Sequence, residues 1–140
     1  MNITVRAYTD FSLEEILSLY DSVGWSSYTA RPDRLQRAFA HSLEVLAAYD
    51  RETGGLLGIL RALGDGETVL FIQDILVFPQ YQRQGVGTAL VREVLKRRGD
   101  VYQIELATDR EERTLRFYRS LGFTEFSDMG CAGFMKLNPL

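Results

Sequence analysis

Apolar and polar residues alternate along this chain with two different periods, and the changes of period mark its elements. Ile3 to Ala7 reads as a short opening strand. Leu13, Ile16, Leu17 and Tyr20 recur at helical spacing. Ser12 stands at the N-cap with Glu15 as capping-box partner, and Gly24 ends the helix. Trp25-Ser26-Ser27-Tyr28-Thr29-Ala30 keeps neither period and reads as irregular, rich in aromatic and hydroxyl groups. Pro32 opens a second helix through Leu35, Ala38 and Phe39. Leu43 to Tyr49 and Leu56 to Ala62 read as an antiparallel hairpin across the turn Arg51 to Gly55, with a further turn at Gly64-Asp65-Gly66.

Thr68 to Val77 is the most informative strand. One face carries Leu70, Ile72, Asp74 and Leu76, the other Val69, Phe71, Gln73, Ile75 and Val77. Both faces are mostly apolar, which predicts a central strand covered on both sides. Pro79 stops it. Gly85 to Arg98 reads as a helix with Val86, Ala89, Leu90, Val94 and Leu95 near one stripe. Val101 to Ala107 follows as a strand, then a helix from about Glu111 to Leu121 closed by Gly122, and strands near Thr124 to Phe126 and Gly133 to Leu137. The strand–helix–strand unit across the middle makes its two strands parallel. The fold class is α/β with a mixed sheet.

Composition narrows the function classes. The 140 residues fit one domain, 1–140, and no linker or repeat divides them. The longest apolar runs, such as Ile75 to Phe78, are too short to span a bilayer, and the N-terminus lacks the pattern of a signal peptide. One cysteine, Cys131, suits a reducing, cytoplasmic setting. With one histidine, His41, beside it in the inventory, no zinc cluster is expected. With a net charge of -3, a general nucleic-acid footprint is not expected. Arg83, Arg92, Lys96, Arg97 and Arg98 make the middle of the chain locally basic; after Arg83 they read as a solvated helix face.

The chemistry concentrates where the central strand meets the long helix, at Gln82-Arg83-Gln84-Gly85-Val86-Gly87-Thr88. Glycines at a helix mouth let the backbone approach a ligand closely. The free N–H groups of the first turn and the positive end of the dipole then form an anion site that fits a pyrophosphate. Two glycines also occur wherever a helix packs tightly on a sheet, and the string is neither a G-x-G-x-x-G fingerprint nor a P-loop.

Pro79 to Leu90 as a whole closely resembles the donor-binding motif of the GNAT superfamily of acyl-CoA N-acyltransferases. That pattern is Gln or Arg, two residues, Gly, one residue, then Gly or Ala, here filled by Gln82, Gly85 and Gly87. Leu115 to Phe123 is similar to the family's last helix and its exit, where a tyrosine precedes a Leu-Gly-Phe turn. The resemblance implies a mixed, mostly antiparallel central sheet with helices on both faces and a splayed parallel strand pair. It implies acetyl-CoA as co-substrate without a metal, its pantetheine arm bonding the backbone of Ile75, Leu76 and Val77. The amides of Gln82, Arg83, Gln84, Gly85, Val86, Gly87 and Thr88 would hold the pyrophosphate, with Arg83 adding a side-chain contact. By the same resemblance Tyr118 is the acid for the departing thiolate, and a backbone N–H near Leu76 the oxyanion donor. Asp74 is the candidate base through a water, or else a structural carboxylate; Glu105 is a weaker candidate. The family's asparagine before the last helix is absent, and Asp109 is expected to cap that helix with Glu112 as partner.

In this family the first two helices wall the acceptor site, which points to Tyr20, Trp25, Ser26, Ser27, Tyr28 and Thr29. Aromatic walls with hydroxyls suit a small amine with an apolar body, or a peptide terminus. His41 and Cys131 read as packing residues. The expected activity is acetyl transfer to a primary amine of a small molecule; the alternatives are a protein or peptide acetyltransferase and a catalytically silent CoA-binding module. Relatives of this family often form homodimers, so a second copy is a candidate partner.

Overall fold

Five strands lie side by side in chain order: β1 (Ile3–Ala7), β2 (Glu44–Asp50), β3 (Leu56–Gly64), β4 (Val69–Val77) and β5 (Gln103–Leu106). This is a computed structural model describing residues 1–140. β1 through β4 pair antiparallel, and β4 pairs parallel with β5. The crossover between those two is a helix, α4 (Val86–Arg98), as a parallel connection requires. The other helices are α1 (Leu13–Ser22), the four-residue α2 (Ser26–Thr29), α3 (Pro32–Ala40) and α5 (Glu112–Ser120). No helix is long and apolar enough to cross a membrane. The chain divides into two compact units, residues 1–106 and 107–140.

In the first unit the sheet is buried deepest along β3, whose residues Leu56 to Ala62 are all buried. Ile16, Leu19 and Tyr20 of α1 and Leu35 and Phe39 of α3 close on Ile59 and Leu76. α4 packs on the sheet with Val86, Leu90, Val91 and Val94 buried; of the stripe its sequence announces, Ala89 and Leu95 are only half-buried, and Val91 is buried in addition. Arg92 and Lys96 are exposed, while Arg97 and Arg98 pair with Glu44 on β2, so the basic run is a solvated and salt-bridged face. On β4, Leu70, Ile72, Asp74 and Leu76 are buried and the alternate residues are half-buried, so only one of its faces is fully covered.

β4 carries an irregularity that matters for the site. Arg61 lies opposite Asp74 and Ala62 opposite Ile72, leaving Gln73 as an extra residue on β4. Such a bulge bends and twists the strand that carries it. The parallel ladder to β5 stops at the same point, with Ile72 opposite Leu106. From Gln73 to Val77 β4 therefore has no neighbouring strand on that side, which is the expected splay.

The α1 cap is built differently from the expected box. Ser12 Oγ accepts from the Glu15 N–H at 3.3 Å, but the Glu15 carboxylate accepts from the Tyr8 hydroxyl at 3.0 Å. That hydroxyl in turn accepts from the Ser12 N–H at 3.1 Å, so Tyr8 stands between the two. His41 is exposed at the end of α3, its Nδ1 2.8 Å from the Arg37 carbonyl oxygen, rather than packed among apolar neighbours.

In the second unit α5 is followed by a 3-10 turn at Phe126–Met129, and no strand forms near Thr124 to Phe126 or from Gly133 to Leu137. The alternation of Gly133 to Leu137 is real, but a strand persists only when its backbone groups find a ladder. The N–H groups of Asp128 and Gly130 instead bond back within the tight turn. Phe134 and Leu137 stay exposed, and so does Cys131, which was expected to be a packing residue.

Candidate active site

The end of β4 and the mouth of α4 form one continuous device. Pro79 starts a 3-10 turn through Tyr81, and the Gln82 side chain donates from Nε2 to the Val77 carbonyl at 3.1 Å. Gln84 Nε2 donates to the Gln80 carbonyl, also at 3.1 Å. Both glutamine side chains thus tie the loop to itself and leave the backbone free to face outward. Arg83 at φ 62° and Gly85 at φ 88° are left-handed, on either side of Gln84. For Gly85 this costs little; for Arg83 it is a strained conformation of about 1–2 kcal/mol. Alternation of hand turns successive N–H groups to one side, making an anion-binding nest. The amides of Arg83 through Thr88 donate to no protein oxygen, and the first α4 turn bonds only from Ala89 N–H to the Gly85 carbonyl at 3.0 Å. A Cβ built on Gly85 meets nothing within 4 Å, so the space in front of the nest is open. The residues present therefore fit a diphosphate: free donors, the positive end of a thirteen-residue helix and clear approach.

Asp74, on the same strand, is 1% exposed. Its Oδ2 accepts from the Tyr20 hydroxyl at 2.7 Å and from Arg61 Nε at 2.8 Å; its Oδ1 is buried without a partner. Arg61 is 4% exposed, reaches Ser42 Oγ at 3.4 Å and lays its guanidinium over the Phe39 ring at 5.5 Å. Burial, and then the charge of Asp74, push the Tyr20 hydroxyl far above the usual tyrosine range, so it remains a donor. Arg61 was not foreseen as a site residue, and Tyr20, expected in the acceptor wall, was not foreseen as a partner of Asp74. A signal existed: Arg61 is the one charge in an otherwise apolar strand, near the middle of the hairpin partner of the strand that holds Asp74. Which carboxylate it meets is decided only by strand register.

Tyr20 also joins an aromatic group. Its ring meets those of Trp25 and Tyr28 edge-on at 5.9 and 5.6 Å, and these two stack on each other at 5.7 Å. Trp25, Tyr28 and Phe78 pack against the cluster that contains Leu76, so the aromatic wall and the anion nest are both attached to the far end of β4. Glu105 lies on β5, half-buried and in no salt bridge.

Tyr118 belongs to the second unit. The Leu121-Gly122-Phe123 exit of α5 explains its setting: Phe123 N–H bonds the Tyr118 carbonyl and Gly122 N–H the Arg119 carbonyl, each at 3.1 Å, with Gly122 at φ 96°. This is a Schellman closure, and its accompanying apolar contact is Phe123 against the Tyr118 ring at 6.0 Å. Phe117 meets the same ring edge-on at 4.9 Å. The hydroxyl donates to no protein acceptor, and burial, with the charge of Asp109 second, pushes it up to about 12. Asp109 does not cap α5 as expected. It accepts from the Glu111 N–H at 3.0 Å in a turn ahead of the helix, whose N-cap is Glu111. Arg110 and Arg119 both pair with Glu125 and tie α5 to the segment after it.

The model of the acetyltransferase (GNAT) domain matches residues 41–125. A GNAT-family acetyltransferase from Streptococcus pneumoniae is similar in structure, with a TM-score of 0.86, 38% identity and coverage of 98% of each chain. In sequence, a histone acetyltransferase of Glycine max is 32% identical over 81% of this chain, and the uncharacterized N-acetyltransferase ycf52 of Porphyra purpurea 29% identical over 85%. The chain spans 52% of the length of the first and 68% of the second. A helix-mouth nest behind a bulged, splayed strand, together with these likenesses, defines the class: the chain belongs to the GNAT acetyltransferase family.

Proposed function

We propose that the chain transfers an acetyl group from acetyl-CoA to a primary amine, that of a small molecule. The observation that carries the reading is the run of amides from Arg83 to Thr88 that bond no protein oxygen at the mouth of α4. They grip the diphosphate, Arg83 adding its charge, while the unpaired edge of Ile75, Leu76 and Val77 aligns the pantetheine arm. Gln82, first counted among the donors, has its N–H on the Pro79 carbonyl at 3.3 Å and its side chain on Val77, and so shapes the loop instead. A backbone N–H near Leu76 stabilises the oxyanion that forms as the amine nitrogen attacks the thioester carbon. The carbon–sulfur bond then breaks, and Tyr118 gives its proton to the sulfur. A hydroxyl with no other acceptor and held protonated to about pH 12 suits a proton donor. The amine's proton leaves to water. Of the two parts considered for Asp74, a base acting through a water or a structural carboxylate, its burial and its bonds to Tyr20 and Arg61 favour the second. The lone cysteine supports a cytoplasmic setting, although two Arabidopsis thaliana relatives are named as chloroplastic.

The half-buried Trp25 and Tyr28 favour a small amine with an apolar body. A protein acceptor is the second reading, favoured by the name of the Glycine max relative. A thiol-release assay with acetyl-CoA decides between them, run against a panel of alkyl and arylalkyl amines and against histone-tail peptides. Turnover on the small amines is the expected result. Turnover on peptides alone overturns the small-molecule reading. CoA binding by calorimetry without any turnover overturns transfer itself in favour of a silent binding module.

A further inference from the structure

The four-residue α2 is too short to hold itself together. Its anchor is Tyr20: the Trp25 N–H bonds the Tyr20 carbonyl at 3.0 Å, and the Tyr20 ring contacts both Trp25 and Tyr28. Tyr20 is itself tethered at the far end, its hydroxyl on Asp74 Oδ2, an oxygen shared with Arg61. A buried ion pair of this kind contributes little net stability compared with apolar residues of similar volume. Here it even leaves Asp74 Oδ1 without a partner. What it does supply is direction, because two donors converging on one oxygen allow the Tyr20 ring a single orientation.

We propose that Arg61 and Asp74 are positioning residues that act through Tyr20 to hold Trp25 and Tyr28 as a rigid aromatic wall. This wall selects acceptor amines with an aryl or alkyl body over small polar ones. The inference rests on the acetyl-transfer reading and assigns its acceptor class.

Trp25 is the only tryptophan of the chain, so its emission reports on the wall without any need for turnover. The test uses Tyr20→Phe, which keeps the ring and removes the tether, and Asp74→Asn, which weakens it. Phenethylamine and ethanolamine serve as probes. In the wild type, phenethylamine quenches Trp25 emission and has the lower KM. Tyr20→Phe is expected to red-shift the emission and raise the phenethylamine KM about tenfold, the scale of one lost charge-assisted hydrogen bond, while the acetyl-CoA KM stays put. Combining it with Asp74→Asn adds little further, because the two act on one tether. An unmoved emission and amine KM in Tyr20→Phe overturn the proposal. A parallel rise in the acetyl-CoA KM also overturns it, since the network then only supports the fold. If Asp74→Asn does not fold, Tyr20→Phe decides alone. Wild-type protein that releases no thiol with any amine sinks the transfer reading separately, and quenching of Trp25 by phenethylamine, lost in Tyr20→Phe, still decides the wall.

Discussion

Replacing Gly85 by aspartate, and by its neutral isostere asparagine, separates the two things the helix mouth is held to do. Any side chain at φ 88° is strained by about 1–2 kcal/mol, somewhat less for asparagine and aspartate, which tolerate this region. A steric clash with the protein, the natural expectation for a side chain in a tight glycine loop, is not part of the cost, because the added Cβ meets nothing within 4 Å. Asn therefore tests backbone strain, and Asp adds one negative charge at the same place. At about 5 Å from a diphosphate, each unit charge opposes the carboxylate by about 1 kcal/mol even at the dielectric of water. With two such charges the Asp variant should bind CoA about 30-fold more weakly than the Asn variant, since about 1.4 kcal/mol is tenfold. Isothermal titration calorimetry with CoA at low salt, for the wild type and both variants, measures this directly. The gap between Asn and Asp should narrow as salt rises and screens the pair. Equal affinities for Asn and Asp at low salt would refute the reasoning, because no anion could then be seated on these amides.

Tyr118→Phe is expected to lower kcat by about 10²- to 10⁴-fold, the usual scale of a lost general acid, with the CoA dissociation constant nearly intact. Because burial raises that hydroxyl to about 12, it keeps its proton as pH passes 10, and a wild-type kcat profile that collapses at or below pH 10 through Tyr118 contradicts the assignment. Arg61→Met strands the Asp74 carboxylate and should destabilise the fold by about 3–5 kcal/mol in urea unfolding, most of it regained when Asp74→Leu is added. A loss under about 1 kcal/mol for the single variant speaks against the buried pair. Tyr20 has a folded pKa raised above its unfolded value near ~10, so its contribution to stability is complete below that pH and is lost as pH climbs past it. Thermal midpoints measured from pH 8 upward should fall above pH 10, and less so in Tyr20→Phe; identical declines in both proteins rule this out.

Much of this molecule is local in origin, and its local parts were legible. The proline at 79, the glycines at 85 and 87 and the apolar stripe of α4 are short-range signals, and the strand, the turn and the helix fall where they predict. The Leu-Gly-Phe exit behind Tyr118 is also local, a closure made by residues within one turn of the helix. The tail misled for the opposite reason: Gly133 to Leu137 alternates like a strand, and alternation says nothing of whether a ladder partner exists. Asp109 shows the same limit at small scale, since a capping carboxylate and one making a turn just ahead of a helix differ by where the helix begins.

By itself, then, the order of residues determined the elements, the parallel pairing around α4 and a helix mouth rich in free donors, because each depends on neighbours a few positions away. Only the tertiary structure decided that Gln73 bulges out of β4, that Arg61 on β3 and Tyr20 on α1 converge on one oxygen of Asp74, and that Arg83 takes a left-handed backbone. Those depend on register and packing between segments up to 54 positions apart in the chain, where burial rather than local preference selects the partner.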